Sequence, residues 1–278
     1  IPGTGEPKQS PGGMFGGGGP APKGDIRQLW DLLELDIQGK PSMTVPGLFD
    51  PSLVWQEYNP YPNLDMNTNS LWLFIDDGAP GAEGALSPDH PITDGMRQVL
   101  ALYAGAVSAK ENSELIHTPL LTTGQLAGMI DGQAAQRVLS GQANLMREQG
   151  APTGASSIAM AIEAKQAEKT ADAEPKEESE GADEPAPTTE GSPRLKTVYI
   201  ADTDLMLPVF LQLRADPNQA QDMRFQFQNV TFLLNTIDYL TGEIDYLEIR
   251  KHEPVFSSLQ MIAEVKEEAS RQVREKGK

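Results

Sequence analysis

Cysteine is absent from all 278 residues. That excludes a disulfide framework, a thiolate metal site and a cysteine nucleophile. Histidine is scarce: His90, His117 and His252 lie far apart, with no HExxH and no pair at i, i+4 spacing, which argues against a histidine-rich metal centre. Aromatic residues make up only 6%. Basic residues are outnumbered, 22 Lys+Arg against 40 Asp+Glu, for a net charge of −18. Phosphate recognition needs clustered Lys and Arg, so nucleic acid is not an expected partner. No apolar run reaches the ~18 residues needed to cross a bilayer, and the first residues show no basic-then-apolar signal pattern. No cofactor or metal motif is present: GxxxxGK[ST], GxSxG and DxDxDG are all missing.

Glycine and proline, in contrast, are abundant at 26 and 22. They concentrate first in residues 1–24, a stretch too poor in apolar content to offset its ordering entropy, which reads as a flexible arm or loop. A second low-complexity tract covers 163–190, with ten acids against three lysines (3 − 10 = −7) and no aromatic. It reads as a solvated, disordered acidic insertion at 163–193 inside a single domain at 25–258. Residues 259–278 then form a C-terminal helix or stalk, with Leu259, Ile262, Val265, Ala269 and Val273 on one stripe.

Between these tracts the pattern is that of a packed domain. Asp25 can cap a helix IRQLWDLLELD, ended by Gly39-Lys40-Pro41. Leu53–Gln56 reads as a strand, and so does Glu114–Thr123, where Pro119 favours an edge or a bulge. The runs LWLFI (71–75) and VYIAD (198–202) are short and uninterrupted, the condition for strands buried on both faces in a parallel sheet. FQFQNVTFLLNTIDYLTGE is helical with Gly242 as its C-cap, and YLEIR (246–250) reads as a further strand. The expected class is therefore α/β, layered on a largely parallel sheet.

In such sheets ligands bind at the carboxyl ends of strands. Two strands deliver acids there, Asp76 and Asp77, and Asp202 and Asp204. Carboxylates so placed could bind a divalent ion or act as general acid and base, and they equally suit the capping of strand ends and helices. NPYPNLD (59–65) offers a candidate recognition loop with Tyr58, Asn59 and Tyr61, or a rigid turn packed on its own domain. Asn229-Val230-Thr231 matches a glycosylation sequon but falls in a buried-type helix.

The ordered set VWQEYNPYPNLDM, LWLFIDD, HPITDGMRQVLALYAGAVS, LIHTPLLTTG, RLKTVYIADTDLM and FQNVTFLLNTIDYLTGEIDYLEIRKHEP resembles the extracytoplasmic domain of GldG-like proteins. These are auxiliary components of ABC-type transport systems, named for gliding motility. The resemblance covers roughly Asp25 to Pro254 apart from the acidic tract. It implies a glutamine-amidotransferase-like (flavodoxin-like) α/β fold whose enzymes use a cysteine that this chain lacks. It implies, too, a non-enzymatic role, permease and ATPase subunits as partners, and placement outside the cytoplasmic membrane through anchors beyond this chain. Two other readings compete. One is a carboxylate- or metal-dependent hydrolase using Asp76, Asp202 and Asp204. The other is a carbohydrate- or peptide-binding module with Trp55, Tyr58 and Tyr61 lining a groove.

Overall fold

The computed structural model describes residues 25–41, 49–61, 69–165, 195–215 and 227–251. The arm 1–24, most of the acidic insertion, His252 and the expected C-terminal helix lie outside the described residues.

In chain order the elements are α1 (Ile26–Leu32), β1 (Leu35–Ile37), β2 (Gly39–Pro41), β3 (Phe49–Pro51), β4 (Leu53–Gln56) and β5 (Trp72–Ile75). Then follow β6 (Val99–Leu102), β7 (Val107–Ala109), β8 (Leu115–Thr122), β9 (Ala127–Ile130), α2 (Gly132–Leu139) and α3 (Leu145–Glu148). The last are β10 (Ser157–Ala164), β11 (Lys196–Ile200), a 3-10 turn (Asp204–Met206), α4 (Pro208–Ala215), α5 (Asn229–Thr241) and α6 (Ile244–Lys251).

Among the described residues every strand pairing is antiparallel: β1 with β7, β2 with β3, β4 with β9, β5 with β6, and β10 between β8 and β11. These pairings differ from the parallel arrangement expected of LWLFI and VYIAD, which moreover belong to different sheets. The physical reason is that an unbroken apolar run reports burial on both faces, not strand direction. β5 and β11 do meet in one core, where Leu73 and Ile75 join Val54, Leu120, Ile158 and Phe232, with Val198 and Ile200 packed against them. Fully burying each large side chain there contributes roughly 1.5–3 kcal/mol.

Local chemistry explains several boundaries. Asp25 caps α1 by accepting the Arg27 N–H at 3.0 Å. The helix ends sooner than its periodicity suggests, because Glu34 turns the chain with a φ of 51° and lets Leu35 enter β1. Gly39-Lys40-Pro41, expected as a terminator, is strand β2 instead. Pro119 lies on β8, at one edge of its three-stranded sheet, next to a register shift between Ala159/Leu121 and Met160/Pro119. A residue without an N–H is tolerated there because the ladder is already broken. Strand β10 runs on through Glu163 and Ala164, which pair with Ile116 and Leu115, so the first residues of the expected insertion belong to the sheet.

The expected strand YLEIR is helix α6. Gly242 ends α5 at φ 85°, its left-handed backbone freeing the chain to restart, and Asp245 in the first turn suits the positive end of the new helix. Leu247 is buried while Ile249 is 65% exposed, a one-sided burial that suits a helix on the surface. Helix α5 is one-sided as well, although its sequence is apolar around most of its circumference. Its inward face is Asn229, Phe232, Asn235, Thr236 and Tyr239, while Ile237 faces solvent. Asn235 is held there by donating to the Ile92 carbonyl at 2.9 Å.

Candidate functional site

The acids expected at strand ends separate into two places. Asp76 follows β5 and is 8% exposed. Its Oδ1 accepts the Tyr58 hydroxyl at 2.8 Å and the Gly78 N–H at 2.8 Å, and its Oδ2 accepts the Gln98 side-chain amide at 2.5 Å. Tyr61 completes the chain by donating to Gln98 Oε1 at 2.6 Å. Asn59 turns the loop by accepting the Tyr61 N–H at 2.8 Å. The two candidate groups, the Asp76 cleft and the Tyr58/Asn59/Tyr61 loop, are thus one hydrogen-bonded unit. Burial and the neighbouring Asp76 carboxylate push the Tyr58 hydroxyl well above its ordinary pKa, so it stays a donor.

Asp202 follows β11 and is also buried. It accepts the Leu102 N–H at 2.9 Å and the Asp204 N–H at 2.6 Å, tying the 3-10 turn to the end of β6. Burial pushes its carboxyl up to about 6, against the lowering effect of those backbone bonds. Gln98 precedes β6 and Leu102 closes it, so the two acid sites lie four residues apart along one strand, roughly 13 Å at 3.3 Å per residue. Asp76 and Asp202 therefore do not form a carboxylate pair. Asp77 is exposed beside the Asp76 unit, and Asp204 is half-buried in the first turn of its 3-10 helix. No group of three or more His, Asp or Glu side chains arranged to hold a metal occurs among the described residues.

The aromatic groove does not assemble. Trp55 is fully buried in β4 beside Leu53, Leu71 and Ile130, whereas Tyr61 packs edge-on against Phe74 at 5.6 Å and Phe227 at 5.7 Å. Tyr58 and Tyr61 face inward, toward Asp76 and Gln98. His117 lies on edge strand β8, within 2.9 Å of the Leu33 carbonyl.

Sequence reasoning passed over a further cluster. Tyr239 donates to Glu163 at 2.5 Å, Lys196 donates to the Tyr239 carbonyl at 2.6 Å, and its ammonium lies 3.6 Å from the Tyr239 ring centroid. The His90 ring packs 4.8 Å from the same tyrosine, and burial lowers its pKa. This cluster binds α5 to β10 and β11. Nothing in local spacing signals it, because its members are brought together only by the fold. Gln98, the hub of the Asp76 unit, was passed over for the same reason.

With this geometry in view, comparison with known families is decisive on kinship. A family model described as an ABC-type uncharacterized transport system matches residues 48–236. The chain belongs to that family. It is an auxiliary component of an ABC-type transport system, and its association is with such a system. The match takes in β3 through most of α5, and so both the Asp76 and Asp202 sites. Among curated proteins and among solved structures, nothing matches the chain.

Proposed function

We propose that this domain is a non-enzymatic auxiliary module, held on the extracytoplasmic face of the cytoplasmic membrane, that binds or scaffolds the permease and ATPase subunits of its transport system or their cargo. The single observation that carries this reading is how the strand-end acids are used. In the family's matched region, Asp76 and Asp202 each accept hydrogen bonds from their own fold, and those bonds fix a loop and a turn. A carboxylate so engaged has its lone pairs directed at protein donors and is poorly placed to take a substrate proton. The chain's strong negative charge suits a soluble contact surface selected by complementarity rather than a lipid-binding one. Kinship with the gliding-motility members belongs to the same proposal.

The test is recovery of partners. Membrane-anchored full-length protein, solubilised in mild detergent and captured by a tag, is expected to bring down an ABC permease or ATPase. Repeated capture of the intact protein with neither subunit present would overturn the scaffolding role.

A further inference from the structure

Helices α5 and α6 leave large apolar side chains open to solvent. Ile237 (56% exposed) and Leu240 stand at i, i+3 spacing on α5, Tyr246 and Ile249 (65% exposed) at the same spacing on α6, and Ile244 opens α6. The opposite sides of both helices are engaged with the core, through Phe232 and Tyr239 on α5 and Leu247 on α6. The charge left beside these exposed residues is negative. From Asn229 to Lys251 the sequence holds four acids and two bases, and both bases are committed. Arg250 binds Asp238 and Asn235 on α5, and Lys251 binds Asp94 and Glu248. Glu243 and Asp245 are exposed and have no ion pair among the described residues. Asp245 stands one turn before Ile249, so an acid and an apolar side chain share one side of α6.

We propose that the exposed side of α5 and α6 is a docking surface for a basic amphipathic helix of a partner protein, one whose apolar stripe is flanked by Lys or Arg. The proposal rests on the scaffolding reading above and describes the segment through which a partner makes contact. Exposed apolar residues at helical spacing fit an opposing helical stripe, which can cover them while keeping its own backbone hydrogen-bonded. Charge then selects among the helices that could do so. Flanking Lys or Arg would meet Glu243 and Asp245, which lack a cation of their own, and the net charge of −18 would steer such a segment toward this chain. A second copy of the chain brings the same acids and the same net charge to the contact. An anionic lipid surface meets the same repulsion.

The probe is a synthetic amphipathic helix of leucine and lysine, titrated into the full chain by calorimetry beside its leucine–glutamate counterpart. The lysine peptide is expected to bind, more weakly as salt rises, and the glutamate peptide is expected not to bind. Ile237→Ser/Ile249→Ser should weaken the lysine peptide by about tenfold. Glu243→Gln/Asp245→Asn, which keeps side-chain shape and so the fold, should weaken it by about threefold and flatten its salt dependence. Absence of binding, or binding indifferent to both pairs of substitutions, would overturn the proposal; the second result would mean attraction to total charge alone. The cysteine-free chain also allows a solvent-sensitive dye at exposed Thr241→Cys as its sole thiol. Emission of the dye is expected to shift to the blue only when the lysine peptide is added. A blue shift already present without peptide defeats the idea, pointing to cover by the chain itself if independent of protein concentration and by a second copy if not. Peptide binding is read without any transport subunit, so it can fail where partner recovery succeeds. Recovery of permease or ATPase in equal amount by parent and both variants would leave the scaffolding role standing and remove this surface from it.

Discussion

The side-chain amide of Asn229 completes the hydrogen bonding of Leu100. Its nitrogen donates to the Leu100 carbonyl at 2.8 Å, and its oxygen accepts the Leu100 N–H at 3.1 Å. One residue at the start of α5 thus stands in for a neighbouring strand along β6. At 1% exposure no water replaces it from outside.

Replacing Asn229 with alanine strands both backbone groups in the interior. An unsatisfied buried polar group costs about 1–3 kcal/mol, so the loss of this pair should lower stability by roughly 2–4 kcal/mol. Urea unfolding of the parent and Asn229→Ala proteins measures it. A difference under about 0.5 kcal/mol, the size of an ordinary surface change, would show that the pairing is not structural.

Gly78 approaches the Tyr58/Asp76 unit too closely for a side chain. A methyl group there would lie 2.6 Å from the Tyr58 hydroxyl oxygen and 3.0 Å from Asp76 Oδ1. Gly78→Ala should therefore destabilise by about 1–3 kcal/mol through overpacking. Tyr58→Phe removes the nearest atom, so in the double variant the two costs should be clearly less than additive. Additive costs in a double-mutant cycle would mean that the clash is relieved elsewhere.

Gly128 faces the fully buried indole of Trp55, where a methyl group would meet Cζ2 at 2.7 Å. Both partners are in the paired strands β4 and β9, so neither backbone can easily yield. Gly128→Ala should cost about 1–3 kcal/mol. It should also shift the indole emission to the red as β9 is pushed off; unchanged emission together with unchanged stability would contradict the close packing.

Asp202 predicts a pH dependence with a definite sign. Its carboxyl titrates at about 6 in the folded chain against an ordinary value of 3.8. The folded state therefore holds this proton more tightly than the unfolded state does. The associated stability is fully present below pH 4 and is lost as pH rises through 6, by up to about 3 kcal/mol. The stability difference between parent and Asp202→Asn should fall by that order between pH 4 and 7. A difference that is flat, or that grows with pH, would refute the assignment. His90 works in the opposite direction, because burial lowers its pKa and its contribution is lost as pH falls below the ordinary histidine value of 6.5.

How far the sequence foretold all this depended on whether the signal was local. Strands at 53–56, 72–75 and 115–122, the Gly242 cap and the Asp25 cap were readable because each rests on neighbours within a few residues. Pro119 announced its edge and bulge in the same way. Strand direction was not readable, since the apolar runs at 71–75 and 198–202 encode burial alone. Tyr246 to Arg250 misled because apolar Leu247 and Ile249 alternate with Glu248 and Arg250 as they would on one face of a strand, whereas the helix buries Leu247 and exposes Ile249. That Asp76 and Asp202 follow strands was legible from the apolar runs before them, but their partners Gln98, Tyr58 and the Leu102 N–H come from distant chain and were invisible to spacing.

The last two residues of α6 are fastened to different parts of the body. Arg250 pairs with Asp238 and donates to Asn235 at 2.9 Å on α5, while Lys251 reaches Asp94 at 2.6 Å in the turn before β6 and Glu248 at 2.7 Å. A mechanical pull transmitted through the chain beyond residue 251 is consequently divided between α5 and that turn. The last described helix is thus anchored at two points, on α5 and on the turn before β6.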